Sequence, residues 1–189
     1  MAAMTTEATT ILIEIFPLLL YERRLWILQP SEVAPDHTWL IHHQSGVHPS
    51  EIVQDQGAAL LGRAWCPDST IVHSTSWRYE TDGPVARTDQ LIVTYVIIVQ
   101  PQPEHAQSLL AGSQLRARSF YRGDLVFADP LEAPAIISAA NVLAHAIEHL
   151  ALLALRDPPI AQTLSVEWHT FLADKEPQPA GELISPTQQ

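Results

Sequence analysis

The chain has 189 residues, 47% hydrophobic and 16% charged, a balance that excludes a largely disordered protein and fits one domain with a single core. Its formal net charge of −11 repels phosphate backbones and anionic lipid, so neither nucleic acid nor a membrane is an expected partner. With one cysteine, Cys66, no internal disulfide can form, and the apolar runs are too short or interrupted to span a bilayer; the expected location is the cytoplasm.

Residues 1–8 read as a loose leader, 9–174 as one domain and 175–189 as a disordered tail. TTILIEIF has the β-branched character of a strand, with Pro17 suggesting an edge or bend. PLLLYERRLWILQP reads as a strand pair turning near Glu22 and Arg23, and TWLIH as a short strand. SEIVQDQGAALLG is a helix opened by Pro49 and Ser50 and closed by Gly62. STIVHSTSWRYE and DQLIVTYVIIVQP form an antiparallel hairpin around the turn TDGPVART. Alternation places His73, Thr75, Trp77 and Tyr79 on one face, and Ser74, Ser76, Arg78 and Glu80 on the other.

PQPEHAQSLLAG is a loop or short helix, and LRARSFYRGDLVFADP gives one or two further strands turning at 122–124. The last third is helical: a long helix from about Ala133 to Leu155, then a second one capped by Asp157 and running to about Ala173. Strands first and a helical hairpin last predict an α+β domain. Its antiparallel sheet has about four to six strands, and the long helix lies across it.

At roughly 100° per residue, Ser138, Asn141, His145, Glu148, His149 and Arg156 share an arc of about 100° on the long helix, and nearly everything else is aliphatic. So wide an apolar girth needs cover from several sides, and a second copy of the chain would supply it. The leading expectation is therefore a small binding or accessory protein acting as a homodimer, with an unidentified protein or small-molecule ligand, no cofactor, and the polar stripe partly in solvent.

HAIEH, residues 145–149, resembles the H-x-x-E-H pattern of the inverted zinc peptidases. That likeness implies zinc held by His145 and His149, with Glu148 as the base that activates a bound water. Only forty residues follow His149, too few for that family's distant third ligand, so His169 is the candidate. The alternative function is thus a metal-dependent hydrolase.

Four other patterns remain. His73 and Thr75 form an H-x-T resembling half of the paired motif of the two-histidine phosphoesterases, which implies phosphoester chemistry. Arg116, Arg118 and Arg122 make the one basic cluster, suited to a carboxylate or phosphate ligand. Cys66 is expected to be a packed thiol, and His42, His43 and His48 to be loop histidines.

Overall fold

The computed structural model describes residues 10–34, 37–79, 90–112, 115–120 and 138–182. The leader, the hairpin turn 81–88, Arg122, any strand after it and the start of the long helix before Ser138 lie outside them. No helix among the described residues is long and apolar enough to cross a membrane.

The chain is α+β. Its sheet contains seven strands among the described residues: β1 (Thr10–Tyr21), β2 (Arg24–Pro30), β3 (Trp39–His42), β4 (Ile71–Tyr79), β5 (Gln90–Val99), β6 (Leu115–Phe120) and β7 (Gly181–Glu182). They run in the order β6-β2-β1-β5-β4-β7, with β3 also on β1. The pairings are mostly antiparallel, but β1–β5 and β4–β7 are parallel. Glu22 and Arg23, both at positive φ, turn β1 into β2 at the place the sequence indicated. Pro17 sits inside β1 rather than at its end. There β1's second neighbour changes from β3, paired through Ile15, to β2, paired from Leu18, so a missing N–H falls between two ladders.

Helices cover both faces. Pro49–Leu61 (α1) and Pro103–Ala111 (α2) lie on the face carrying Ile13, Ile15, Tyr95 and Ile97. The opposite face carries Phe16, Leu18, Val96 and Ile98. It is covered by Ala139–Arg156 (α3), Pro158–Thr163 (α4) and Val166–Leu172 (α5).

The second helix of the expected hairpin is therefore two helices. Ser165 starts α5 by accepting from Trp168 N. The Gln100 side chain meets the broken backbone on both sides, donating to Thr163 O and accepting from Ser165 N, which removes the usual cost of interrupting a helix. The tail expectation also changes at its near end. Residues 175–182 form a strap along α3: Lys175 is buried, Gln178 N donates to Glu148 O, and Gly181–Glu182 adds β7 beside β4.

Candidate functional site

The hairpin of β4 and β5 does not keep simple alternation. Ser74 pairs with Tyr95 and Ser76 with Thr94, leaving Thr75 as an inserted residue. Such a bulge shifts the phase of a strand by one. His73 consequently shares the α3 face with Ser76 and Arg78, while Trp77 and Tyr79 fall on the other. This corrects the expected grouping of His73, Thr75, Trp77 and Tyr79.

The consequence is a polar band under an apolar helix. The middle of the α3 stripe faces the sheet and the strap rather than water, with His149 and Glu148 buried and His145 half-buried, while Ser138 and Arg156 at its ends are exposed. The His145 ring lies beside the Thr75 backbone. His149 Nδ1 donates to Gln178 O at 3.1 Å, and His73 Nδ1 to Ser74 O at 2.7 Å. The His73 and His149 ring centres are 5.4 Å apart, tilted by 51°. Because carbonyls only accept, the bonds of His149 and His73 each place a proton on Nδ1. His145 Nε2, His149 Nε2, Thr75 Oγ1 and Ser76 Oγ are all buried without a hydrogen-bond partner.

Next along the same face, Glu14 is fully buried. It accepts from Arg78 Nη1 and Nη2 at 2.7 and 2.9 Å and from Thr94 Oγ1 at 2.9 Å. Glu14 and Thr94 are paired residues of β1 and β5, and Ser76 follows in the same row on β4. The sequence reading passed over this network, whose only sign was a carboxylate inside an otherwise apolar strand.

The electrostatics follow from burial. Burial holds the His145 imidazole below its ordinary range. It lowers His149 as well, with smaller contributions from His73 and His145. Burial pushes the Glu148 carboxyl up, and Glu176 adds to this while Lys175 opposes it. Both groups thus answer first to burial and next to the strap, through Glu176 and Lys175 for Glu148 and through the Gln178 carbonyl, which opposes the lowering, for His149.

Other expected site residues lie elsewhere. His169, on α5, is exposed and bonds Ala161 O through Nε2, so it does not join His145 and His149. Among the described residues no group of three His, Cys, Asp or Glu side chains is placed to hold a metal ion. Arg116 donates to Val33 O, and the Arg118 guanidinium lies 4.8 Å over the Phe120 ring. Their strand, β6, is separated from β4 by β2, β1 and β5, roughly 19 Å at ordinary strand spacing. The arginines and the His73–Thr75 pair therefore form no common site. Cys66 is exposed, not packed, and a hydrogen bond from Ser69 draws its thiol below the ordinary range. His48 caps α1 through Nδ1, a role the loop reading did not give it.

No family model matches the chain, and no curated protein matches it. Among solved structures it resembles a MutT/nudix family protein from Enterococcus faecalis, with a TM-score of 0.54 and 14% identity, over 89% of this chain and 75% of that one. The likeness is one of fold.

Proposed function

We propose that this chain is a small binding protein on a MutT/nudix-like fold, whose ligand is gripped in the polar seam between β4 and α3. One observation carries the reading: four buried polar atoms without partners lie on two packed elements, Thr75 Oγ1 and Ser76 Oγ on β4 and His145 Nε2 and His149 Nε2 on α3. A buried hydroxyl or imidazole left unpaired costs roughly 1–3 kcal/mol. A fold that concentrates several of them is built to receive something that pairs with them.

The test uses the hydroxyls. Thr75→Val combined with Ser76→Ala removes two unpaired groups at nearly constant shape. If the seam binds a ligand, the double variant melts at or above wild type when stripped of small molecules, and it loses the rise in melting temperature that a bound ligand gives wild type. A panel of small polar metabolites and divalent cations serves as the source of ligands. A stripped double variant that is clearly less stable, with no compound shifting wild type, would make the seam purely structural.

The likeness to a MutT/nudix family protein favours a second reading, the metal-dependent hydrolase using His145, Glu148 and His149. Burial raises the Glu148 carboxyl, the direction that strengthens a carboxylate as a base. On that reading Glu148→Gln abolishes metal-dependent hydrolysis of phosphate esters or anhydrides while leaving metal affinity unchanged.

A further inference from the structure

We propose that the cavity between the β1–β2 turn and α5 binds a small zwitterion with an apolar side group, of the apolar α-amino acid class. It lies on other elements than the seam of β4 and α3 and is independent of it.

The cavity holds about 370 Å³, within the size range of small-molecule sites. Leu20, Val166 and Phe171 give it an apolar lining, and Glu22, Arg23 and Glu167 bring charges of both signs. Phe171 is held in place, edge-on to Trp168 at 5.7 Å and with Lys175 Nζ 5.4 Å from its ring centre. Val166 is 77% exposed, an aliphatic side chain that the fold itself leaves uncovered. Among the described residues Glu22 and Arg23 have no ion-pair partner. The Glu167 carboxyl is held below the ordinary carboxylate range by its own backbone N–H and next by Ser165, so it stays an anion.

The turn carries the second observation. Tyr21 pairs with Arg24, so Glu22 and Arg23 alone make the connection, at φ of 49° and 61°. A two-residue turn with both φ positive favours Asn-Gly, because larger side chains strain the left-handed region. Strain of this kind concentrates at ligand clamps, and here the strained pair lines the cavity. One guanidinium and two carboxylates around an apolar lining match a molecule with a carboxylate, an ammonium group and an apolar body. The guanidinium takes the carboxylate, Glu22 and Glu167 share the ammonium group, and the side group displaces water from Leu20, Val166 and Phe171.

The experiment titrates isotope-labelled full-length protein with L-leucine and L-phenylalanine, following the backbone amides by NMR. The expected result is one molecule per chain, with saturable shifts centred on the β1–β2 turn and α5. Phenethylamine, which lacks the carboxylate, and hydrocinnamate, which lacks the ammonium group, bind at least about threefold more weakly than phenylalanine. Arg23→Gln and Glu167→Gln each weaken amino-acid binding by a similar factor, whereas Arg63→Gln, at an exposed residue elsewhere, leaves it unchanged. Glu22→Asn with Arg23→Gly gives a readout that a purely structural role would not: the relaxed turn makes the free protein melt higher while amino-acid binding falls. Three results overturn the proposal: no saturable shift with either amino acid, shifts centred on α3 and β4, or binding of either half of phenylalanine as tight as that of phenylalanine itself. The seam is tested through Thr75 and Ser76, so each site fails without touching the other.

Discussion

At the scale of single residues, the most consequential contact is the Glu14–Arg78 pair. Glu14 is 0% and Arg78 13% exposed at the side chain, and Thr94 fills a further acceptor position. Removing one partner of a buried pair strands the other charge and costs about 3–5 kcal/mol. Arg78→Ala is therefore expected to lower unfolding free energy in urea by about that much. Glu14→Leu with Arg78→Met, which removes both charges, should recover most of it; equal losses in the single and double variants would refute the explanation.

The buried histidines make a second residue-scale prediction. Their folded pKa values lie below the ordinary 6.5, so below about pH 6.5 the unfolded chain binds more protons. The stability they contribute is complete above that pH and is lost as the pH falls toward the folded values. Glu148 has the opposite sign, because its folded pKa lies above the ordinary 4.5. Its contribution is present below the unfolded value and is lost as the pH rises through the folded one. Urea melts of metal-free protein should show lower stability at about pH 5 than at about pH 7.5. Glu148→Gln should raise stability at the higher pH more than at about pH 4.

At the scale of elements, α1 shows packing overriding propensity. Gly57 lies in the middle of this helix, where glycine costs about 1 kcal/mol relative to alanine. A Cβ there would stand 2.7 Å from both Ile97 Cδ1 and Trp65 Cζ3. Gly57→Ala should therefore destabilise the protein, by about 1–3 kcal/mol in chemical denaturation, although it improves the helix taken alone. Close approach of α1 to β5 is what the glycine secures. The same contest decides the region after α3. Apolar spacing at Ile160, Leu164, Trp168 and Leu172 reads as one helix, but Ser165 and the distant Gln100 together make a break acceptable.

At the scale of the molecule, the expectation of a partner subunit began from the apolar girth of α3. The single chain already buries the middle of that helix: Val142, Leu143, Ala146, Ile147 and Leu150 are each 1% exposed or less, whereas Leu155 near its C-terminal end is 71% exposed. Light scattering at micromolar concentration should accordingly return the mass of one chain. A doubled mass would direct attention to exposed apolar residues, Leu155 at the end of α3, Trp77 and Tyr79 at the end of β4 and Val166 on α5, and Leu155→Glu, Trp77→Glu or Val166→Glu would tell which one matters.

The sequence by itself determined the α+β class, most strand positions, the turn at Glu22–Arg23, the limits of α1 and the polar identity of the α3 stripe. These are consequences of local chemistry: alternation, caps, proline, and glycine at positive φ all act within a few residues. Only the tertiary structure decided what the stripe faces. One inserted residue at Thr75 turned His73 toward α3, and eight residues read as tail became a strap that orients His149. A bulge is set by how two strands pair, and a strap by the groove it fills. Neither leaves a period in the sequence that bears it, so the meeting of His73 with His149, about seventy-six positions apart, was legible only after the chain had folded.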